Sequence, residues 1–241
     1  MNTIFLAGAS GAIGVRLTPL LVQAGYSVTG TTRSPEKAAG LAALGAQPVI
    51  VDVFDADALR EKVRAARPSI VIHQLTDLAM LASGDRGEAS QRNARIRIEG
   101  TRNLVAAALD AGAEKFIAQS IAWVYAPGPE PHAEHDPLQT PAEGSAGTTM
   151  RGVSGLERQT LDSPPLVGTV LRYGHLYGPG TGTDAPTGSP GVHVDAAASA
   201  ALLATRSSAH GIFNIAEPSE HLNTERAQRE LGWDANFRLA G

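Results

Sequence analysis

The sequence contains no cysteine. That excludes disulfides, thiolate zinc sites and cysteine nucleophiles, and it removes the usual residue marker of a redox compartment. Aromatic residues are scarce, at 5 % of the chain. Neither sign of charge dominates: 20 basic against 24 acidic residues leave a net charge of −4, so no basic surface points to nucleic acid or an anionic membrane. No apolar run approaches the roughly 18 residues that span a bilayer. The opening Thr3-Ile4-Phe5-Leu6-Ala7 has a strand pattern, without the basic flank and long apolar region of a secretory signal. A cytoplasmic protein is expected. The chain also lacks paired carboxylates, metal-ligand spacing and a nucleophile elbow, so no metal is expected.

What is present is alternation. Strand patterns at 3–7, 26–31, 47–51, 69–73 and 115–120 are separated by helix patterns at about 12–24, 35–44, 55–66 and 88–111. This order predicts an α/β fold, a doubly wound Rossmann sheet of parallel strands with helices on both faces. The second half is looser. Residues 126–147 read as a long surface loop and 178–191 as a Pro/Gly-rich flap. Around them lie helices at about 148–162, 193–205 and 223–231 and strands at 166–171 and 211–215. The 241 residues suit one nucleotide-binding domain with a small C-terminal substrate region, the two irregular segments acting as lids.

The segment Gly8-Ala9-Ser10-Gly11-Ala12-Ile13-Gly14 joins the first strand to the first helix. Its first glycine allows a tight turn, its second lets backbone approach a pyrophosphate, and its third lets the helix pack on the sheet. Phosphates then meet the free N–H groups at the helix start. A dinucleotide is therefore expected against Gly8, Ser10, Gly11, Ala12, Ile13 and Gly14. The end of the second strand selects its type. An acidic residue there would accept the ribose 2′-hydroxyl. Here the chain reads Thr31-Thr32-Arg33-Ser34, and Arg33 with Ser34 and Lys37 suits a 2′-phosphate. NADP(H) is the expected cofactor. Asp52, beside Val53 after the third strand, is open to two roles: accepting from the adenine amino group, or capping a helix as Asp55 could.

Beyond the glycine motif, the chain carries Ile72-His73, Glu99-Gly100-Thr101-Arg102-Asn103-Leu104, Trp123-Val124-Tyr125, Leu171 to Gly180 and Val192-His193-Val194-Asp195. With these it resembles the extended and atypical short-chain dehydrogenase/reductases, the group that includes nucleotide-sugar epimerases and dehydratases. The resemblance spans nearly the whole chain and adds Gln74, Leu75, Gln119, Tyr173 and His175 to the expected cofactor contacts.

The same resemblance exposes a loss. The family places Ser or Thr four residues before the tyrosine of its Val-Tyr-Gly segment; here that position is Ile121, with Ser120 one place earlier. The family's Tyr-x-x-x-Lys, anchored on Glu157, falls on Thr149 and Val153, or on Met150 and Ser154 in the adjacent register. The supporting helix asparagine falls on Arg97. An aliphatic hydroxyl is far too weak an acid to replace a tyrosine phenol, and losing a positioned acid costs about 10²–10⁴ in rate. Ser120, Tyr125 and His175 are the remaining candidates for a catalytic role. His132, His135 and Asp136 sit in the long loop, and His193 and Asp195 are expected to cap a helix. Alternatively the substrate brings its own proton source, as in the aromatic-polyketide reductases of the simocyclinone 7-ketoreductase type, which this pattern also resembles.

The expected function is thus an NADPH-dependent ketoreductase without the usual Tyr/Lys relay, acting on a small, aromatic ketone of the kind found in antibiotic biosynthesis. A non-redox cyclase or isomerase and an NADP(H)-sensing binding module are the alternatives. The sequence leaves the oligomeric state open.

Overall fold

Strand β1, Thr3–Ala7, is enclosed from Ile4 onward, as a strand covered on both faces must be. The computed structural model describes residues 2–77 and 86–239. It continues with α1 (Ala12–Gln23), β2 (Ser27–Thr32), α2 (Ala38–Ala43), β3 (Gln47–Ile50), α3 (Ala56–Ala66) and β4 (Ile70–His73). Then come α4 (Arg86–Arg95), α5 (Thr101–Asp110), β5 (Lys115–Ile121), α6 (Gly144–Leu161) and β6 (Val167–Tyr173). The short β7 (His175–Tyr177) and β8 (Gly191–His193) precede α7 (Val194–Arg206) and β9 (Gly211–Ile215).

Seven strands form one parallel sheet in the order β3-β2-β1-β4-β5-β6-β9. The chain builds outward from β1 to β3, then crosses back and builds outward from β4. That reversal opens a crevice at the carboxyl ends of β1 and β4, the place where open α/β sheets bind ligands. One face is covered by α1 and α7, which bury Leu17, Leu21, Ala197 and Ala201 in one cluster. The other face holds Leu59, Val63, Leu104 and Leu156 from α3, α5 and α6. Among the described residues no helix is long and apolar enough to cross a membrane, and no group of three or more His, Asp or Glu side chains is placed to hold a metal ion.

Three details differ from the sequence reading. The helix expected at 35–44 is divided, because Pro35 opens a 3₁₀ turn, Pro35–Lys37, ahead of α2. The helix expected at 88–111 carries a π-helical turn, Ile96–Gly100, between α4 and α5; such turns concentrate at functional sites. The last expected helix runs over 225–231 and is mostly a π-helical turn, Ala227–Leu231, which ends where Gly232 adopts φ 68°.

Candidate active site

The glycine segment folds as its spacing requires. Gly8 has φ +90°, and a Cβ there would stand 2.7 Å from the Gln74 backbone. A Cβ on Gly14 would stand 2.3 Å from the Gly8 carbonyl oxygen, so this glycine sets how closely α1 approaches the sheet. Gly11 is different. Its Cβ would meet only the Gly8 oxygen, at 3.4 Å, and otherwise open space. Gly11 is also the N-cap of α1 and offers no capping side chain, so the helix's first N–H groups remain for an anion. The Gly8 N–H donates to Thr31 Oγ1 at 3.2 Å and Ser10 Oγ donates to Thr32 Oγ1 at 3.2 Å, which ties the loop to the end of β2.

Over this loop lies a cleft of about 380 Å³. Gly8, Ser10, Gly11, Ala12 and Ile13 form its floor; Thr31, Thr32, Arg33 and Lys37 close one end. Val53 and Phe54, then Gln74, Leu75 and Asp77, form one wall, and Gln119, Leu176 and Gly180 the other end. Gln74 Oε1, on the cleft wall, is buried without a hydrogen bond, as is Ser34 Oγ, which follows Arg33 in the chain but does not line the cleft. The Ser34 hydroxyl lies close enough to Glu36 to hold that carboxyl below its usual range, without a bond of full geometry. Buried polar atoms normally find partners. A dinucleotide in the cleft could satisfy Gln74, so the residues present fit the cofactor.

Several expected contacts lie elsewhere. Asp52 is exposed and accepts from the Phe54 N–H at 2.9 Å, a local turn, while Asp55 caps α3. Gly14 packs behind the cleft floor. Tyr173 is buried and donates to the Ala197 carbonyl at 3.1 Å, with Gln74 Nε2 3.5 Å away. His175 stacks on Trp123, and its neighbour Leu176 takes the cleft wall. Of the two irregular segments, 178–191 reaches the cleft through Gly180, whereas none of the described lining belongs to 126–147. That loop is bound instead to the far edge: the His132 N–H donates to the His221 carbonyl, and the His132 carbonyl accepts from the Asn223 N–H. His132 is not solvated but stacks on Tyr125, with Asp136 3.1 Å from its Nδ1. His193 does cap α7, whereas Asp195 bonds Arg16 Nε at 2.6 Å and the Leu239 N–H at 3.1 Å.

The corner beside α6 where the family resemblance predicts an acid is filled with hydrocarbon. Ile121, Val124, Met150 and Val153 form a buried cluster with Leu138 packed on it. Ser154, from the adjacent register, faces solvent. Among the described residues, the Thr149 hydroxyl bonds Ser90 Oγ, at 3.5 Å. Ser120 is buried and donates to Glu157 Oε1 at 2.8 Å. Glu157 also receives Arg172 through two bonds, at 2.9 and 2.7 Å. Arg172 then donates to the Tyr125 hydroxyl at 2.8 Å, and that hydroxyl donates to Asn214 Oδ1 at 2.6 Å. Burial raises the Tyr125 phenol despite Arg172, and burial raises Tyr173 further. Ser120 and Tyr125 therefore belong to one buried hydrogen-bonded network, and neither is among the residues that line the cleft.

Arg97, on the π-helical turn, is the group in this corner that sequence reasoning undervalued. Its Cδ packs against Gly152 of α6, and it lies near His73 and Glu157. No hydrogen bond or ion pair holds its guanidinium among the described residues. Burial lowers it to about 10 in spite of Glu157, and the same corner lowers buried His73 to about 3, through burial and the Arg97 charge. The available signal was one charged residue on the helix face of Ala94 and Thr101, both buried. Thr31, Thr32, Phe54 and Asp77 were also missed as lining; only the two threonines, polar at a buried strand end, carried a hint.

Residues 4–202 match the NAD dependent epimerase/dehydratase family. A 3-diazoavenalumate denitrifying reductase from a Streptomyces species is 39 % identical over 98 % of this chain and 89 % of its own length. A 4-hydroxy-2-methyl-3-oxo-4-farnesyl-3,4-dihydroquinoline-1-oxide ketoreductase from Stigmatella aurantiaca is 32 % identical over 52 % of this chain and 35 % of its own. Among solved structures, Gre2 from Candida albicans in complex with NADPH superposes with a TM-score of 0.80 at 15 % identity, over 98 % of this chain and 95 % of that one; that likeness concerns the fold. The family match covers most of the chain, and the relatives above are reductases: this chain belongs to the NAD dependent epimerase/dehydratase family.

Proposed function

We propose that the chain is an NADP(H)-dependent reductase that acts on a small aromatic substrate without contributing an acid of its own. The observation that carries this reading is the hydrocarbon cluster of Ile121, Val124, Met150 and Val153, standing where the family resemblance predicts a proton relay. When bound, the reduced nicotinamide supplies a hydride. The chain's own residues then bind and orient: Gly11 and the start of α1 receive the pyrophosphate, and Arg33 and Lys37 receive the 2′-phosphate. Gln74 and Gln119 face the reacting end. Catalysis rests on placement rather than proton transfer.

Two substrate classes tolerate a missing acid. An aryl diazo group that accepts hydride becomes an aryl C–H with loss of dinitrogen, and the balance requires no proton. The reductase that is 39 % identical over nearly the whole chain is named for a substrate of this class, so this class comes first. A ketone with an adjacent phenolic hydroxyl is the second, since that hydroxyl can protonate the alkoxide; the shorter match to a ketoreductase favours it. The test mixes enzyme and NADPH with 2-hydroxybenzenediazonium or with 2′-hydroxyacetophenone. The diazo reading expects NADP⁺ and dinitrogen in equal amounts; the ketone reading expects the alcohol. Oxidation of NADPH with neither compound, nor with related aromatic diazo compounds or ketones, would overturn the reductase reading.

A further inference from the structure

Aromatic residues are few in this chain, and both tryptophans are placed distinctly. Trp233 is 3 % exposed and donates its indole N–H to the Ala196 carbonyl. Trp123 is 43 % exposed. It stands just past the carboxyl end of β5, beyond Gln119 of the cleft wall. The register that pairs Ile121 with Tyr173 continues two residues on to Trp123 beside His175. Their rings stack with centroids 4.1 Å apart and planes 6° from parallel. His175 is supported in turn by the flap. A Cβ on Gly188 would stand 2.8 Å from the His175 ring, so the flap backbone closes on that imidazole. Burial lowers His175 below the ordinary histidine range, which favours the neutral ring at neutral pH. The next residue, Leu176, lines the cofactor cleft.

An indole supported on one side and exposed on the other is costly to leave in water and ready to stack. We propose that Trp123, backed by His175 and Gly188, is a stacking platform that holds a planar aromatic ring of the substrate at the mouth of the cleft. This deepens the reductase reading, on which it rests for the location of the reacting end. It makes Trp123 a specificity-determining residue: a flat ring is favoured over a saturated ring of similar size, because only the flat ring offers a face to the indole.

The test measures binding separately from turnover. Calorimetric titration of the NADP⁺ complex, which has no hydride to transfer, with 1-hydroxy-2-acetonaphthone and with its decalin counterpart compares flat and saturated rings. Wild type is expected to bind the naphthyl ketone about two- to tenfold more tightly, in line with a ring stack added to ordinary burial. Trp123→Leu should erase that preference and Trp123→Phe should restore most of it. Quenching of the exposed Trp123 emission should accompany binding, with buried Trp233 as the internal reference. Retained NADPH affinity in Trp123→Leu shows that the variant folds. Equal preference in wild type and Trp123→Leu, or no binding of the naphthyl ketone by wild type, overturns the platform. A Trp123-dependent flat-ring preference with no hydride transfer to any probe would leave the platform standing and remove the reductase reading instead.

Discussion

The two ends of the central crevice have opposite characters. At the glycine loop, backbone N–H groups, Thr31, Thr32, Arg33 and Lys37 face an open volume, and Gln74 Oε1 on its wall has no hydrogen-bond partner. At the helix α6 end, the chain has removed polar groups and packed Ile121, Val124, Met150 and Val153 together. Nearby, Ser120, Glu157, Arg172 and Tyr125 are joined in one hydrogen-bonded chain, whereas the Arg97 guanidinium has no hydrogen bond or ion pair among the described residues. One end is open and lined with polar groups, and the other is packed with hydrocarbon.

The sharpest way to break the contrast is at the loop. Gly11→Val should abolish NADPH binding in a fluorescence titration while leaving circular dichroism and melting nearly unchanged. The extended backbone at Gly11 accepts valine, and the lost volume is the phosphate's. Undiminished binding would make the loop vestigial. At the other end, Glu157→Gln should cost about 3–5 kcal/mol in urea unfolding, because it leaves Arg172 buried without its counter-charge. Normal stability with abolished turnover would instead make Glu157 part of a proton path.

Arg33→Ala should weaken NADPH by roughly 1.5–3 kcal/mol, the worth of charge-assisted bonds, and spare NADH. Equal affinities of wild type for both cofactors would contradict the reading of Arg33. Buried His73 offers a pH test. Its folded value of about 3 lies below its ordinary 6.5, so the unfolded chain binds the proton first. Stability is therefore complete above pH 6.5 and declines as pH falls toward 3, by roughly 2 kcal/mol at pH 5. Unfolding of His73→Gln should show a shallower decline. The smallest effect is expected from Thr149→Val, which should keep turnover within about twofold. A loss near a hundredfold, the range of a missing general acid, would restore proton transfer to α6.

How legible these features were follows from how local they are. Strands β1 and β4 announce themselves by continuous apolar runs, and the glycine loop by its spacing. Pairing of β7 with β8 depends on a flap returning across 13 intervening residues, and three-residue strands have no periodicity to read. Tyr125 looked available because a sequence shows that it follows a strand, not which way its hydroxyl turns; Asn214 and Arg172, far along the chain, decide that. The loop at 126–147 looked like a lid for the same reason, since its anchor at His221 and Asn223 is tertiary. Arg97 illustrates the converse. Its identity was plain, but its meaning depends on Gly152, His73 and Glu157 around it.

Asp195 carries a consequence for how the molecule holds together over time. One of its oxygens grips Arg16 in the helix that begins at the glycine loop, and the other accepts from the Leu239 backbone. One carboxylate thereby links α1 to the segment around Leu239, alongside the packing of Phe237 and Leu239 on the same core cluster. Opening of one should expose the other, so amide exchange at Leu239 and in the first turns of α1 should slow together when NADPH is added. A tag or a cut near that segment would then be felt at the opposite end of the sequence, as looser cofactor retention, without any change to a residue that touches the cofactor.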